Sequence, residues 1–380
     1  MTKIATNLPG VEIRSLREEH LDSIVELMNL EGWYYYDRHE LLRYLALNQE
    51  CFTLLESGRI AGSIFTTDYG NQAWIGNIVV AKDLRKRGIA AGMIRGVIDH
   101  FSINRQVRTY RLGSVPLAIG LYKKIGFHAE SFTTAQAADL PLNTASVEID
   151  TGKSIRVEPI RAHDLKAIAE IDKRYFKSER LGLLSHLYED SIKKCCVCLK
   201  DRGKVVGFLM LRKRQASKKE GRFAEGPDYA YRLGPSCILP AYGIDGFKAL
   251  CQEAFRVVNE EVDQLRGNAR IYTVFPKNAV KDEIYRDTQE LAESMGMALD
   301  PSLHGIFDEH GLIFGARKSE KNDAQWQYME SLGFRQEYFE QVMSYTPGET
   351  AVMQGDPKMA EMTQADPEGI FASATPGDKA

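Results

Sequence analysis

Three consecutive basic residues stand directly before a glycine and the start of a helical pattern, at Arg85-Lys86-Arg87-Gly88. The first turn of a helix leaves several backbone N–H groups without intrahelical partners and carries a partial positive charge, which suits it to phosphate. Gly88 lets the backbone approach an anion closely, and Ala90 adds little bulk. Basic side chains at a helix start oppose the helix dipole. The segment Arg85–Ala90 therefore predicts an anion site, with a solvated basic turn as the alternative.

The elements on either side of this segment determine how it is presented. Trp74–Val80 (WIGNIVV) is an apolar, β-branched run of strand length. Behind the glycine, Ile94, Val97, Ile98 and Phe101 recur at helical spacing. A strand thus leads through a basic turn into a helix, which places the anion site at the carboxyl end of the strand.

The chain also contains an internal repeat. Ile13–Leu27 aligns with Val157–Ile171 at an offset of 144 positions, and Gly58–Gly62 aligns with Gly203–Gly207 at an offset of 145. The first pair of segments predicts a strand, a turn and an amphipathic helix, and the second pair predicts a tight hairpin. The order of strands and helices predicts an α/β (α+β) fold with two tandem mixed β-sheets flanked by helices.

These segments divide the chain into three parts. Residues 1–150 hold the first copy, and residues 151–345 hold the second copy with an insertion near 280–323. Residues 346–380 are rich in Pro, Gly, Asp, Thr and Ala without periodicity, which predicts a disordered tail. A chain of 380 residues has the length expected for two domains.

Composition excludes several classes of protein. Hydrophobic residues make up 44% and charged residues 27%, as in a globular protein with a sizeable core. A net charge of −3 argues against a nucleic-acid partner, and no apolar run is long enough to span a membrane. Neither a signal peptide nor a disulfide framework is expected, which favours the cytoplasm.

The cysteines do not predict a metal site. Cys195, Cys196 and Cys198 lie in a short apolar run, and no second pair of His or Cys ligands stands at a familiar spacing. Free cysteine in such a run behaves as a small hydrophobe. We therefore expect no metal cofactor.

Two motifs carry a resemblance to a known family. Val80–Ala90 resembles the V-x-x-x-x-[RQ]-x-x-G-x-[GA] segment of GCN5-related N-acetyltransferases (GNAT), and Ala118–Phe127 is similar to the A-x-x-L-Y-x-x-x-G-F closing motif of that family. The resemblance covers about residues 11–135. The second copy resembles the degenerate acetyltransferase-like domain that follows a catalytic one in some two-domain members. Its weaker match lies in Tyr231–Pro235 and Leu332–Phe334.

The resemblance implies acetyl-CoA as the cosubstrate. In that family the pantetheine arm pairs with the backbone of the strand before the loop, the loop amides hold the pyrophosphate, and this strand splays from the next to open a slot. One departure is Val115, where the family often has an asparagine that contacts the pantetheine. The residues implied to bind acetyl-CoA are Ile78, Val79, Val80, Arg85, Lys86, Arg87, Gly88, Ile89 and Ala90.

The resemblance also implies direct attack of a neutral amine on the thioester, without a covalent enzyme intermediate. Tyr122 matches the tyrosine that lies near the CoA sulfur and protonates the leaving thiolate. A core tyrosine on an amphipathic helix is the alternative. Because Trp74–Val80 contains no carboxylate, the candidates for the general base are Asp68, Tyr69 and a water relay.

Residues 31–37 (EGWYYYD) lie between the first two predicted helices, where the family builds its acceptor site. Four consecutive aromatic residues are unusual in a loop. They predict either a wall or cation–π cage around an amine, or a plug against the second domain. Trp33, Tyr34 and Asp68 are accordingly the candidate substrate-binding residues.

The second copy lacks the features that predict a CoA site in the first. Its counterpart of the basic loop, Pro240–Gly246 (PAYGIDG), has no basic residue, and Met329 stands where the first copy has Tyr122. Both changes disfavour CoA binding and catalysis. A structural or substrate-shaping role is expected for this copy.

The residues and the resemblance together predict an N-acetyltransferase that moves an acetyl group from acetyl-CoA to a primary amine of a small molecule, with Tyr122 as general acid. Its partners would be acetyl-CoA and the amine, and the oligomeric state stays open. Two alternatives remain at this point, a non-catalytic acyl-CoA-binding or regulatory protein and a protein-amine acetyltransferase. Substrate choice lies in the loops, so the fold alone does not decide among them.

Overall fold

The structure of the protein is a computed structural model. The residues it describes are 3–4, 10–31, 38–46, 50–114, 118–144, 154–176, 178–191, 195–215, 227–276, 327–347 and 370–372. The predicted insertion near 280–323 lies outside these residues. Of the predicted tail at 346–380, only 346–347 and 370–372 are described.

The first copy begins with strands and then alternates strands with helices. Its elements are β1 Lys3–Ile4, β2 Val11–Ser15, α1 Leu21–Leu30, α2 Arg38–Ala46, β3 Glu50–Glu56, β4 Arg59–Asp68, β5 Gln72–Val80, α3 Ile89–Asn104, β6 Thr109–Ser114, α4 Ile119–Ile125 and β7 His128–Asp139. Ser57 and Gly58 join β3 to β4 with φ values of 50° and 82°. Two central residues with positive φ give a turn whose twist matches that of the flanking strands.

The second copy repeats this order. Its elements are β8 Ile155–Pro159, α5 Leu165–Phe176, α6 Leu181–Asp190, β9 Val197–Asp201, β10 Lys204–Gln215, β11 Tyr229–Ile238, α7 Gly243–Val262, β12 Ala269–Pro276, a helical segment at 327–331, β13 Arg335–Tyr345 and β14 Ile370–Ala372. The hairpin turn recurs at Arg202 and Gly203, with φ values of 48° and 77°. The repeat predicted from the sequence is therefore a repeat of backbone geometry as well.

Both copies contribute to one continuous sheet of 14 strands. The order is β1-β2-β3-β4-β5-β6-β13-β7-β12-β11-β10-β9-β8, and β14 pairs with β11 beside this path. Neighbours are antiparallel except β5 with β6 and β11 with β12, which are parallel. The prediction of two tandem mixed sheets flanked by helices is confirmed, and the structure adds that the two sheets are joined at their edges.

The join is an exchange of strands between the copies. β13, from the end of the second copy, lies between β6 and β7 of the first copy. β7, from the end of the first copy, lies between β13 and β12 of the second copy. Each copy therefore completes its half of the sheet with a strand of the other, and the two halves share a continuous hydrogen-bonded ladder.

Helices cover both faces of each half-sheet. Val80 packs with α3, in a cluster that includes Val97 and Phe101. The preceding residue, Val79, packs with α1 and α2 in a separate cluster with Phe65. Successive strand residues point to opposite faces, so α3 lies on one face and α1 with α2 on the other.

The second copy has the same layers. Ile238 packs with α7 and Cys237 packs with α5 and α6. Cys195, Cys196 and Cys198 are fully buried in these clusters, where they pack as small apolar side chains. Burial raises the pKa of the Cys198 thiol to about 12. None of the helices in the described part of the chain combines the length and apolar character needed to cross a lipid bilayer.

Candidate active site

A fork between β5 and β6 forms the centre of the candidate site. The two parallel strands pair only at their beginnings, Gln72–Trp74 with Thr109–Arg111. Among the described residues, no pair joins them beyond this point. Each strand then continues on its other neighbour, since β5 pairs with β4 as far as Val80 and β6 pairs with β13 as far as Ser114. A slot therefore opens between the strands towards their carboxyl ends, where one edge of β5 can accept an extended partner.

A bulge distorts β5 beside the slot. Ser63 of β4 pairs with Val79, but Phe65 pairs with Gly76, so the two residues at 77 and 78 stand opposite one residue of β4. Asn77 has a φ of 49°, which is costly for a residue with a side chain. The Ser63 hydroxyl donates a hydrogen bond of 3.2 Å to the Asn77 carbonyl and fixes the bulge from the neighbouring strand. Bulges of this kind redirect backbone groups and are frequent next to active sites.

The turn after β5 presents an open helix N-terminus. Gly88 caps α3 with a φ of 76°, and its carbonyl accepts the first helical hydrogen bond from the Gly92 N–H at 2.9 Å. The N–H groups of Ile89, Ala90 and Ala91 come before that bond. They therefore have no carbonyl acceptor within the helix. A Cβ atom added at Gly88 would meet nothing within 4 Å. Glycine is required here by its φ, and the space beyond the turn is accessible to an anion.

Two basic residues of the turn, Arg85 and Arg87, are already paired with carboxylates. The Arg85 Nε donates to the Val80 carbonyl at 2.9 Å, and its Nη2 lies 2.6 Å from Glu31 Oε1. The Arg87 Nη1 lies 3.1 Å from Glu56 Oε1. Ion pairs as exposed as that of Arg87 contribute only about 0–1 kcal/mol, so a phosphate can compete for this guanidinium. Arg85 also ties the end of β5 to the end of α1, just before residues 32–37.

Tyr122 lies on α4 and is 8% exposed. It belongs to the same apolar cluster as Val80 and Ile89, which places it on the α3 face next to the slot. Its ring packs edge-on against Phe127, with 6.0 Å between centroids. Gly126 ends α4 with a φ of 115°, and a Cβ there would come within 3.0 Å of the Tyr345 ring. The Gly-Phe of the closing motif thus sets the end of the helix that carries the tyrosine.

Of the candidate substrate residues, Asp68 alone lies among the described residues, and it is far from the turn at Gly88. Trp33 and Tyr34 lie outside the described residues. Asp68 pairs with Ala73 at the opposite end of β5 from Val80, about 23 Å away at ~3.3 Å per strand residue. Its Oδ1 accepts a hydrogen bond of 2.7 Å from the Gly70 N–H, so this carboxylate closes the β4–β5 turn.

Tyr69, a candidate base, is buried at the same end of the sheet. Its ring packs edge-on against Phe176 of the second copy, with 4.9 Å between centroids. Burial raises the pKa of Tyr69 well above its usual value. Because its pKa is raised, the phenol stays protonated at neutral pH. Its burial therefore disfavours Tyr69 as the base.

The second copy holds the base of the fork through contacts that the sequence did not reveal. The Gln72 Nε2 donates to the Phe176 carbonyl at 2.9 Å and to the Ser178 Oγ at 2.7 Å. Its Oε1 accepts a hydrogen bond from Arg111, on the last β6 residue that pairs with β5. The two contacts with the second copy join residues more than a hundred positions apart. A lone glutamine at the start of an apolar strand was the only signal in the sequence.

A buried ion pair supports this contact from the second copy. The side chains of Arg180 and Asp172 are both 0% exposed, with the Arg180 Nε 2.8 Å from Asp172 Oδ2. The Arg180 guanidinium also lies 3.7 Å from the centre of the Phe176 ring. Phe176 is thereby fixed between Arg180 and Tyr69 of the first copy.

The corresponding turn of the second copy is shorter and has no basic residue, because α7 begins at Gly243, soon after β11 ends at Ile238. β11 and β12 repeat the fork, because they pair only over Tyr229–Arg232 and Ala269–Tyr272. The turn after β11 has no basic side chain between residues 240 and 246. A Cβ added at Gly246, in the first turn of α7, would lie 2.4 Å from the Ile238 Cδ1. The space over the helix start itself is open, since a Cβ added at Gly243 would meet nothing within 4 Å, so the two turns differ in charge and length.

Comparisons with known proteins agree with this geometry. Residues 20–138 match the family model described as an acetyltransferase (GNAT) domain. The uncharacterized N-acetyltransferase YitH of Bacillus subtilis (strain 168) is 25% identical over 213 residues, which cover 55% of this chain and 71% of that protein.

Two solved structures share the arrangement over most of their length. A GCN5-related N-acetyltransferase from Sphaerobacter thermophilus superposes with a TM-score of 0.55 at 12% identity, covering 89% of this chain and 96% of that one. A tandem GNAT protein from the clavulanic acid biosynthesis pathway superposes with a TM-score of 0.55 at 12% identity, covering 90% and 99%. At these identities the likeness concerns the fold.

Proposed function

We propose that the chain, whose residues 20–138 match an acetyltransferase (GNAT) domain, belongs to that family and transfers an acetyl group from acetyl-CoA to a primary amine of a small molecule. The observation that carries this proposal is the continuity of two features in the first copy. The slot beside β5 leads directly to the open N-terminus of α3 at Gly88. An extended arm ending in a pyrophosphate fits this combination of strand edge and anion site.

Binding would use the backbone more than the side chains. The pantetheine amides pair with the edge of β5 at Ile78, Val79 and Val80, and the pyrophosphate accepts hydrogen bonds from the amides of Arg87–Ala90. Arg87 exchanges its exposed partner Glu56 for a phosphate oxygen. Of the other two basic residues, Lys86 is exposed at the turn and adds positive charge near the pyrophosphate. Arg85 keeps the turn attached to β5.

The reaction is the attack of a neutral amine on the thioester carbonyl. The nitrogen lone pair forms the new C–N bond, and the carbonyl oxygen carries the negative charge of the tetrahedral intermediate until the C–S bond breaks. A backbone amide of the bulge in β5 stabilises that charge. Tyr122 gives its proton to the departing thiolate, and the amine loses a proton to water or a carboxylate.

The acceptor site would lie on the α1 and α2 face of the sheet. We propose that Trp33, Tyr34 and Asp68 contribute to it, with the second copy closing the end of the site near Trp74. In support, Trp74 packs in one cluster with Tyr69 of the first copy and Phe176 of the second. The division into a catalytic domain at 1–150 and a degenerate domain at 151–345 follows from the same reasoning.

The test is release of thiol from acetyl-CoA with a panel of polyamines, amino acids, amino sugars and peptides. In Tyr122→Phe we expect kcat to fall by about 100-fold or more, within the range typical of a general acid, while KM for acetyl-CoA changes little. Tyr345→Phe is the matched control, because it removes a hydroxyl from the same aromatic cluster around Phe127.

Each outcome of this panel has a distinct meaning. A Tyr122→Phe enzyme with unchanged kcat would show that the tyrosine only packs. Binding of acetyl-CoA without thiol release for any amine would favour a non-catalytic acyl-CoA-binding protein. Release with peptides alone would favour a protein-amine acetyltransferase.

A further inference from the structure

A short strand from the end of the chain occupies the fork of the second copy. β14 pairs antiparallel with β11, with Ile370 opposite Ile238, Phe371 opposite Cys237 and Ala372 opposite Ser236. It also contacts β12, the other side of that fork. No other strand of the described chain pairs with this part of β11 on the side facing β12.

The backbone contacts show which residues of β11 and β5 correspond. Val80 stands opposite Gly62 in the first copy, and Ile238 stands opposite Gly207 in the second. The next amide repeats as well, since Ala81 N–H donates to the Ala61 carbonyl at 2.9 Å and Leu239 N–H donates to the Val206 carbonyl at 2.9 Å. Residues 236–238 are therefore the counterparts of residues 78–80.

β14 thus lies where the proposed function places the pantetheine arm in the first copy. We propose that the fork of the second copy is a binding site for an extended peptide, occupied by residues 370–372 of the same chain. Addition of a strand to an open sheet edge uses backbone hydrogen bonds and needs no charged loop. That requirement fits a turn which has no basic residue at 240–246.

This occupancy explains why a copy with the same fork would bind no acyl-CoA. Attachment to the same chain gives the segment an effective concentration on the order of millimolar, which excludes weak competitors. The proposal uses the function of the first copy only for comparison. Its test measures peptide binding and backbone protection, so it can fail while acetyl transfer is confirmed.

The first experiment is hydrogen–deuterium exchange on the full-length protein. In the wild type, the amides at 236–238 and 370–372 should be protected. Phe371→Pro removes one N–H and fixes φ, so it should accelerate exchange at 236–238 by about tenfold or more. Phe371→Ala keeps the backbone donor and should exchange like the wild type there. Residues 78–80 are the internal reference and should not change in either variant.

The second experiment asks whether the emptied fork accepts a peptide from solution. A fluorescent peptide of residues 366–376 should bind saturably to Phe371→Pro and not to the wild type. The same peptide with proline at the position of Phe371 should bind to neither. Three results would overturn the proposal. The amides at 370–372 could be unprotected in the wild type, or exchange at 236–238 could be equal in the wild type and Phe371→Pro. The third is failure of the peptide to bind Phe371→Pro.

Discussion

The two copies share a fork and differ in the turn that follows it. In the first copy, Lys86 and Gly88 have φ values of 62° and 76°, and the space over Gly88 is open. In the second copy, α7 begins at Gly243, soon after β11 ends at Ile238, and residues 240–246 contain no basic side chain. We propose that the fork accepts an anionic arm in the first copy and a peptide in the second, and that the residues of the turn decide between them.

The copies also depend on each other mechanically. β7 and β13 are exchanged across the centre of the sheet, and Gln72 at the base of the first fork is held by Phe176 and Ser178 of the second copy. The second copy thus completes the sheet and contacts the base of the fork of the first copy. Substitutions in the second copy should therefore alter properties of the first.

The largest effect is expected from breaking the buried ion pair. Asp172→Leu leaves the Arg180 guanidinium buried without its carboxylate, which should lower the free energy of unfolding by about 3–5 kcal/mol. Urea unfolding measures this loss. The double variant Asp172→Leu/Arg180→Met removes both charges and should recover most of it. Equal losses in the single and double variants would show that shape at this position matters more than charge.

The next largest effect should come from the open turn. Gly88→Val adds a side chain at a φ of 76° and covers the amides of α3, so KM for acetyl-CoA should rise by about 10–100-fold, as expected for loss of one charge-assisted hydrogen bond. Gly58→Val is the matched control, because Gly58 has a φ of 82° and equally open surroundings in the β3–β4 turn. Both variants should lose similar stability, and only Gly88→Val should lose affinity. An equal rise in KM for both would assign the effect to backbone strain alone.

A smaller effect is expected at the contact between the copies. Ser178→Ala removes one partner of Gln72 and leaves the bond to the Phe176 carbonyl, so stability should fall by about 1 kcal/mol. If the contact sets the width of the fork, KM for acetyl-CoA should rise by roughly two- to fivefold, while kcat stays unchanged. This rise is smaller than the loss of one net hydrogen bond to the ligand would cause. Ser191→Ala is the control, since its hydroxyl bonds the Tyr188 carbonyl within the second copy at 2.7 Å. A similar change in KM for Ser191→Ala would remove the special role of the fork contact.

Local patterns in the sequence predicted the parts of this molecule that depend on neighbouring residues. The strand before Arg85, the positive φ at Gly88 and the repeat of hairpins follow from residue types within a few positions. The exchange of β7 and β13 could not be predicted in this way, because either copy could pair its last strand with its own sheet or with the other. The contact of Gln72 with Ser178 likewise depends on how two distant segments meet.

The smallest expected effect concerns a position where the first copy has a charge and the second does not. Glu50 begins β3, and its counterpart in the second copy is the buried Cys195, just before β9, as the pairing of Leu54 with Gly62 and of Leu199 with Gly207 shows. Burial would raise the pKa of Glu50, but hydrogen bonds from Arg105 and His100 outweigh it and hold the pKa below its ordinary 4.5.

A carboxylate with a lowered pKa in the folded state stabilises the protein above its unfolded pKa, and this contribution is lost as the pH falls through the folded pKa. The free energy of unfolding of the wild type should therefore decline more steeply below about pH 4.5 than that of Glu50→Gln. The difference should be at most about 1 kcal/mol, because the partner Arg105 is exposed. Urea unfolding at pH 7 and pH 3.5 measures the difference. Cys195→Ser, at the matching position of the second copy, should lower stability by the same amount at both pH values, because burial keeps that thiol uncharged. If the free energy of unfolding changed equally with pH in the wild type and in Glu50→Gln, Glu50 would not contribute to the acid sensitivity of the first copy.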